Sequence, residues 1–269
     1  MNRIEFGELR IGEIAKQHLI DICNSNWASE GPKVKQFERD WKNLFGYKKS
    51  VAMSSGTDGC INACLTLYDT KNANRGDEII VPALSFIATS NAVRAAGFVP
   101  RFVDIKKETL NIDEEKIEAA ITDKTIAIMP VHTMGRPAEM DMICDIAQKY
   151  NLIVIEDACE AHGAKYKGKF VGQWGDMSVY SYYVAHIVAC GEGGMVSTND
   201  DLIAEILRST RSHGRLFNSV VFNHPRIGIN SKMNDLEASI GLEGITNFWN
   251  TFHTRYETIK TFRKNCRGF

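Results

Sequence analysis

Short, almost continuous apolar runs recur between residues 78 and 198 and alternate with segments of mixed polar and apolar character. Such runs are typical of strands in a parallel sheet that is covered on both faces. They lie at residues 78–84, 99–105, 125–132, 151–158, 176–183 and 193–198. Segments with helical spacing precede or separate them, at residues 57–69, 85–97, 113–121 and 138–150. The repeated order predicts a three-layer α/β/α domain with a mostly parallel sheet, whose ligands bind beyond the carboxyl ends of the strands.

The pattern changes at residue 231, where a long helical stretch begins that continues to residue 265. Its apolar residues at helix-compatible spacing are Leu236, Ile240, Ile245, Phe248, Phe252 and Tyr256. No strand follows, so we expect this apolar stripe to pack on another subunit or on a carboxy-terminal domain that the chain lacks. We therefore predict a large domain over residues 1–233 and, over residues 234–269, a long helix leading to a truncated small C-terminal domain.

Composition and charge are those of an ordinary globular protein and exclude several classes of function. The chain has 269 residues, of which 44% are hydrophobic and 24% charged, with a net charge of -1. So small a net charge offers no general attraction for nucleic acid or an anionic membrane, and an anionic ligand must be held by a local site. No stretch reaches the roughly 20 apolar residues of a membrane-spanning helix, and the amino terminus lacks the apolar segment of a signal peptide.

The seven cysteines are scattered along the chain, and no two of them form a C-x-x-C pair. An odd, dispersed set of this kind predicts neither a disulfide framework nor a metal site. We expect a reduced, cytoplasmic protein without a bound metal.

A candidate phosphate site lies in "VAMSSGTDGC", residues 51–60, where a short apolar segment meets small polar residues before a helix. Small residues there let backbone N–H groups close around a phosphate, and the helix dipole favours its negative charge. Thr57 can add a hydroxyl. An ordinary helix N-cap explains the same pattern.

Two adjacent carboxylates, Glu156 and Asp157, end the apolar run "NLIVIEDA". Strand alternation points them to opposite faces, so that one of them can be directed into a site at the end of the strand. A carboxylate there suits a protonated heteroaromatic nitrogen, because the ion pair keeps the ring an electron sink. A helix N-cap or a surface pair is the alternative interpretation.

Further motifs follow in a fixed order, among them "PALSFIAT" around Phe86, "SYYVAHIVACGEGG" from Ser181 and "GINSKMNDLEASIGL" around Asn230. In kind and order, these motifs resemble those of the DegT/DnrJ/EryC1/StrS family of sugar aminotransferases over nearly the whole chain. Members of that family are pyridoxal phosphate (PLP) enzymes of fold type I. The resemblance therefore implies both this cofactor and the large-domain fold that holds it.

The resemblance also implies which residues hold the cofactor phosphate. The phosphate would lie on the turn of Gly56, Thr57 and Asp58, beside the hydroxyl of Ser181. Asn230 matches a residue that reaches the phosphate of the neighbouring subunit, which implies a homodimer with shared active sites.

Three more positions are matched around the cofactor ring. By the resemblance, Phe86 would stack on the pyridine ring and Asp157 would pair with the ring nitrogen. Glu160 would lie near the ring hydroxyl, at a position where the family usually has a glutamine.

His186 stands where the aminotransferases of this family have the lysine that binds the cofactor as a Schiff base. An imidazole cannot form a stable imine, so the cofactor would be held without a covalent bond. A histidine here resembles one subgroup, the nucleotide-sugar 3-dehydratases, which use pyridoxamine phosphate (PMP) to remove the C3 hydroxyl of a 4-keto-6-deoxy sugar nucleotide. The resemblance implies that His186 is the catalytic base, since an imidazole with a pKa of about 6.5 can both accept and return a proton.

Some members of that subgroup use an iron–sulfur cluster, which needs about four cysteine ligands, whereas others recover the amine form with L-glutamate. Downstream of His186 the chain has only Cys190 and Cys266. We therefore expect the cluster-free type, similar to GDP-4-keto-6-deoxymannose 3-dehydratase, acting in the biosynthesis of a deoxysugar for a polysaccharide such as O-antigen.

Two other functions stay open at this point, an ordinary PLP-dependent nucleotide-sugar aminotransferase and a non-catalytic member of the family. His186 also has a structural interpretation, as a histidine packed at the end of a strand. The other histidines show no metal-ligand spacing and are interpreted as structural or surface residues: His18, His132, His162, His213, His224 and His253.

Overall fold

The computed structural model of the chain describes residues 7, 9–216 and 221–266. Its strands are β1 (Lys49–Met53), β2 (Glu78–Pro82), β3 (Val99–Val103), β4 (Thr125–Ile128), β5 (Ile153–Asp157), β6 (Lys165–Tyr166), β7 (Lys169–Phe170), β8 (Met177–Ser181) and β9 (Gly194–Thr198). Its α-helices are α1 (Glu13–Ser25), α2 (Pro32–Phe45), α3 (Gly56–Leu65), α4 (Leu67–Thr70), α5 (Ala88–Ala95), α6 (Glu114–Ala120), α7 (Met140–Tyr150), α8 (Asp201–Thr210), α9 (Asp235–Thr246) and α10 (Phe248–Asn265).

Seven of these strands form one sheet in the order β1-β9-β8-β5-β4-β2-β3, while β6 and β7 pair as a separate hairpin. The neighbours from β8 through β5, β4 and β2 to β3 are parallel, and β9 is antiparallel to both β1 and β8. All strands of the sheet except β9 therefore run in one direction, and their carboxyl ends meet at one edge. The predicted mostly parallel sheet is confirmed, with β1 added to the six strands that the apolar runs indicated.

Helices cover both faces of the sheet, which confirms the predicted three layers. Along β2 the side chain of Ile79 joins an apolar cluster with residues of α3, α5 and α8, whereas that of Ile80 joins a cluster with residues of α2, α7 and α9. Both side chains are fully buried. Because successive side chains of a strand point to opposite faces, an apolar residue at nearly every position is what a strand buried on both sides requires.

The start of α2 is capped by a residue about two hundred positions away in the chain. Its own N-cap, Gly31, has no side chain to accept the first N–H groups. The carboxylate of Asp235, at the start of α9, accepts from the N–H groups of Gly31, Lys33 and Val34 at 3.0, 3.2 and 2.9 Å. Asp235 is only 2% exposed, so these bonds join α2 and α9 inside the protein.

The predicted long C-terminal helix is two helices, which is a correction to the sequence analysis. At Asn247 the backbone (φ -93°, ψ 7°) leaves helical geometry, so that α9 and α10 are separate. Part of the apolar stripe is already packed within this chain. Phe248 is fully buried in the core cluster that contains Ile80, and Phe252 packs against that cluster. Farther along α10, Tyr256 is 51% exposed. The boundary at residue 233 and the truncated small domain remain predictions.

No helix among the described residues combines the length and the apolar character that crossing a membrane requires.

Replacing Asp235 with alanine is expected to lower the free energy of unfolding by about 1–3 kcal/mol, because three buried N–H groups lose their acceptor. Asp235→Asn keeps one acceptor oxygen and should lose less. Urea denaturation followed by circular dichroism measures both changes.

Asp145, an exposed residue of α7, provides the matched control. Asp145→Ala should alter stability by no more than about 0.5 kcal/mol. An Asp235→Ala variant as stable as this control would contradict the capping role.

Candidate functional site

The carboxylate pair at the end of β5 faces both sides of the sheet, as predicted. Glu156 is fully buried, and its carboxylate accepts from Nε2 of His132 at 3.0 Å. It also accepts from three N–H groups of one loop, those of Gly172, Trp174 and Gly175, at 2.6, 2.8 and 2.6 Å. Both carboxylate oxygens are thus occupied by donors of the protein. Glu156 therefore holds these segments together and takes no part in an open site.

His132 is a structural residue, as the sequence analysis expected. Its Nδ1 accepts from the N–H of Ala138 at 3.1 Å, which leaves the ring proton on Nε2 to be donated to Glu156. The ring is fully buried, so the pair holds the segment after β4 against β5.

Asp157 faces the opposite side, at the edge where the parallel strands end. It is 6% exposed, and its carboxylate accepts from the hydroxyl of Thr89 at 2.9 Å and from the N–H of Cys159 at 3.3 Å. Both donors are neutral, and no lysine or arginine in the described part of the chain pairs with it. A buried carboxylate without a cation is costly. The site therefore suits a ligand that brings positive charge to Asp157.

The N-terminus of α3 opens at the same edge of the sheet. Ser55 is its N-cap and accepts from the N–H of Asp58 at 3.0 Å, while the Asp58 carboxylate accepts from the hydroxyl of Ser54. The preceding N–H groups, those of Gly56 and Thr57, have no partner within the helix, as at every helix start. Gly56 is buried, whereas Thr57 is exposed, so a ligand can reach the hydroxyl of Thr57 at the start of the helix.

Gly56 lies directly against Ser181, the last residue of β8. A Cβ atom at Gly56 would come within 2.6 Å of the Ser181 Cβ and within 3.1 Å of its Oγ. Two segments far apart in the sequence, "SSGTD" and "SYY", are thus brought together. Only a glycine permits this approach, since real Cβ atoms keep at least about 3 Å from such neighbours.

His186 lies in the loop that connects β8 to β9 and is partly buried. Its ring centroid is 5.6 Å from that of His162, a buried histidine whose Nδ1 accepts from the N–H of Val188 at 3.4 Å. Burial, together with the positive charge of Arg255, lowers the pKa of His186 to about 4, although the carboxylate of Asp157 acts in the opposite direction. The imidazole is therefore neutral near pH 7 and free to accept a proton.

The remaining predicted site residues lie at exposed positions. Phe86 follows β2, is 73% exposed, and its carbonyl accepts from the N–H of Thr89, the residue that binds Asp157. Glu160 accepts from the N–H of Met134 through its carboxylate. Asn230 is exposed and pairs through its backbone with Ser212, and no hydrogen bond among the described residues joins it to the other predicted site residues.

Three residues of this region were missed by the sequence analysis. Thr89 lies one helical turn after Phe86, which is a usable signal. Cys60 lies on α3 at the end of the quoted motif, one turn after Gly56, whereas Arg255 gave no such signal because it reaches the site from the separate helix α10. The thiols of Cys60 and Cys159 and the carboxylate of Asp157 lie within 4.8 Å of one another. The hydrogen bond with Cys60 and then burial raise the pKa of Cys159 well above its usual value, which keeps this thiol protonated.

Gly56→Ala is expected to lower the free energy of unfolding by about 1–3 kcal/mol, because the added methyl group has no room beside Ser181. In a chain that also carries Ser181→Gly, the obstructing Cβ is absent and most of this loss should disappear. Urea denaturation of the two single variants and the double variant measures the coupling. Strictly additive effects would contradict the close approach of α3 and β8.

Two curated relatives of this chain are named for two different enzyme activities. GDP-4-keto-6-deoxy-D-mannose 3-dehydratase from Yersinia pseudotuberculosis is 42% identical over 205 residues, which cover 76% of this chain and 52% of the relative. GDP-perosamine synthase from Caulobacter vibrioides is 37% identical over 241 residues, which cover 89% of this chain and 64% of the relative. The chain thus spans between about half and two thirds of the length of these relatives.

Among solved structures, the 3-dehydratase from E. coli with bound hydrated PLP superposes with a TM-score of 0.89 at 29% identity, over 100% of this chain and 74% of that one. This likeness confirms the predicted fold and, at the level of the family, the predicted cofactor. The sequence profile of the DegT/DnrJ/EryC1/StrS aminotransferase family matches residues 10–268. The chain therefore belongs to the DegT/DnrJ/EryC1/StrS aminotransferase family.

Proposed function

We propose that this protein is a PLP/PMP-dependent nucleotide-sugar 3-dehydratase. It removes the C3 hydroxyl of a 4-keto-6-deoxy sugar nucleotide of the GDP-4-keto-6-deoxymannose type, and His186 acts as the base. The observation that carries this proposal is a single residue, the histidine at the position where aminotransferases of the family have their cofactor-binding lysine.

The residues at the strand ends fit the phosphate of the cofactor. Because Gly56 has no side chain, the start of α3 and the Ser181 side chain form one continuous cradle. The Gly56 and Thr57 N–H groups and the Thr57 and Ser181 hydroxyls are donors, and the helix dipole adds attraction for an anion. The N–H of Asp58 already donates to the hydroxyl of Ser55. Asp58 would therefore shape the turn around the phosphate and would not donate this N–H to it.

The ring would lie between Phe86 and the end of β5. The buried carboxylate of Asp157 accepts hydrogen bonds from two neutral donors and has no lysine or arginine partner in the described part of the protein. A protonated pyridine nitrogen would supply the missing positive charge. Phe86 is 73% exposed and free to stack on a planar ring. Glu160 would approach the ring hydroxyl. When bound, the cofactor supplies an electron sink and, in its PMP form, an amine for the keto group of the sugar.

His186 supplies proton transfer in this proposal. Since the pKa of its imidazole is lowered to about 4, a ring nitrogen is free to accept a proton at neutral pH. Once protonated, the imidazolium is more acidic than an ordinary one and returns the proton to the departing C3 hydroxyl, which leaves as water. A lysine would bond covalently to the aldehyde form of the cofactor, whereas His186 has no primary amine and leaves the amine form free. L-Glutamate would restore that form, without an iron–sulfur cluster.

A shared active site in a homodimer belongs to the same proposal. Asn230 is exposed, and no hydrogen bond among the described residues joins its side chain to the phosphate cradle, which suits a residue that serves the neighbouring subunit. The deoxysugar product would serve polysaccharide biosynthesis. A similar protein, the spore coat polysaccharide biosynthesis protein SpsC of Bacillus subtilis, is named for that process.

Transamination is the second candidate. The observation that favours it is the GDP-perosamine synthase relative, which is 37% identical to this chain, compared with 42% for the dehydratase relative. Transamination predicts a 4-amino sugar as product and a covalently bound cofactor. A non-catalytic role is the third candidate, and it predicts neither product.

Incubation with PLP, L-glutamate and GDP-4-keto-6-deoxymannose tests the reaction. We expect a product lighter than the substrate by one oxygen atom, with 2-oxoglutarate and ammonia formed alongside it, as measured by mass spectrometry. His186→Asn should slow the reaction by about 100-fold or more, because the base is lost. His253→Asn, at an exposed position of α10, is the control and should retain the rate. A 4-amino sugar as the main product would overturn the proposal in favour of transamination.

Borohydride reduction tests directly whether the site lacks a lysine that binds the cofactor covalently. The wild-type chain treated with PLP and then borohydride should show no covalent adduct at the mass of the intact protein. His186→Lys introduces a primary amine at the same place and should acquire the adduct. A reduced adduct on the wild-type chain, mapped to a lysine of the site, would contradict the role of His186.

A further inference from the structure

Arg255 links α10 to the loop that carries His186. Two nitrogens of its guanidinium donate to two successive carbonyl groups, Nη1 to that of Ala185 at 3.0 Å and Nη2 to that of His186 at 3.1 Å. A planar guanidinium holds two acceptors at a fixed distance and angle, which a lysine ammonium cannot do. This pair of hydrogen bonds is called the fork below. It determines both the position and the tilt of the backbone that carries the His186 side chain.

The loop has few other bonds near this peptide. Residues 182–193 lie between the paired strands β8 and β9, and the last register pair is Ser181 with Gly194. The N–H of His186 donates to the carbonyl of Tyr183 at 3.0 Å, and the N–H of Val188 donates to His162. The carbonyls bound by Arg255 lie between these two anchors. Among the described residues, no other hydrogen bond to these two carbonyls joins them to a separate element, so the pair of bonds from Arg255 is their link to α10.

The helix that carries Arg255 has its own attachment to the core. Phe248, in the first turn of α10, is fully buried and packs edge-on against Phe45 at 5.2 Å between ring centroids. Phe252, one turn later, lies beside Gly163. Arg255 follows on the same helix, so the guanidinium is held from a rigid element, while its outer side remains exposed.

Four groups act on the imidazole from the elements around it. Arg255 from α10 is a permanent cation, and Asp157 from β5 is an anion. His162 follows β5, and burial holds its pKa well below the usual value, so it stays neutral. Tyr183 belongs to the loop itself, with its ring centroid 6.5 Å from that of His186. Arg255 therefore opposes protonation of His186, and Asp157 favours it.

We propose that Arg255 is a positioning residue for His186, which it holds through the carbonyls of Ala185 and His186. The catalytic part of this inference rests on the proposed dehydratase function. The contact itself does not, and it can be measured in the protein without cofactor or substrate.

Two substitutions separate the charge of Arg255 from its fork. Arg255→Gln removes the positive charge, whereas Arg255→Lys keeps the charge and loses the planar pair of donors. Arg263→Gln, at an exposed position near the end of α10, is the matched control. Since Phe248 anchors the helix, all variants should keep the thermal unfolding midpoint of the wild type within a few degrees, which excludes general unfolding as the cause of an effect.

The first measurement is the titration of His186 by NMR in the full chain without cofactor, with the histidines labelled and the signal assigned by its loss in His186→Asn. Removing a nearby positive charge favours the imidazolium, so Arg255→Gln should raise the titration midpoint by about one pH unit. Arg255→Lys and Arg263→Gln should leave it close to the wild-type value.

The second measurement is the pH profile of the dehydration. In Arg255→Gln the acid limb of kcat/KM should move to higher pH, in the same direction as the NMR titration. In Arg255→Lys the limb should stay in place while kcat falls about tenfold, because the base is no longer held in position. Arg263→Gln should match the wild type in both quantities.

The outcomes distinguish this inference from the proposed function. Unchanged titration and unchanged kcat in both Arg255 variants, in an active dehydratase, would overturn the positioning role and leave the function standing. A shifted NMR titration in a protein that performs no dehydration would support the contact between Arg255 and His186 and overturn the function.

Discussion

The buried carboxylate of Glu156 is the interaction on which the rest of the structure depends. It brings together β5, the imidazole of His132 and the N–H groups of the loop around Trp174, in the interior and without solvent. Several donors on one buried anion make the arrangement strongly directional. Strand alternation then fixes the next side chain, Asp157, on the other face and at the open edge of the sheet.

The candidate site follows from that placement. The parallel strands end at one edge, so α3, which follows β1, and Ser181, which ends β8, meet beside Asp157. The start of a helix and a buried carboxylate without a lysine or arginine partner among the described residues thus lie in the same region, and the proposed ligand, with a phosphate at one end and a cationic ring nitrogen at the other, matches both. The antiparallel β9 adds the loop that holds His186.

Much of this arrangement could be predicted from the sequence because it depends on local rules. Continuous apolar runs identify strands buried on both faces, as at Ile79 and Ile80, and alternation along a strand separates Glu156 from Asp157. The order of motifs gave the family. Assigning roles to single residues within the family pattern goes further than these rules, and the roles of Phe86 and the other matched positions remain proposals.

What the sequence did not predict is set by contacts between distant segments. Asp235 caps α2 across 204 residues from Gly31, and a cap at that separation has no local signature. The break at Asn247 was also missed, because the apolar spacing continues through it and the nearest glycine, Gly244, lies three residues earlier, within α9. Arg255 reaches the loop from an independent helix. Such contacts arise from the way helices pack, which composition and spacing do not encode.

The closed loop between β8 and β9 has an evolutionary consequence. Its two ends are fixed by the register of Ser181 with Gly194, so we expect a substitution at position 186 to leave the pairing of the sheet unchanged. In the proposed function, the residue that determines the reaction is therefore separate from the residues that determine the scaffold. A fold of this kind can acquire a new chemistry by one change in a tethered loop, and such a change can arise and be tested by selection without first passing through an unstable intermediate.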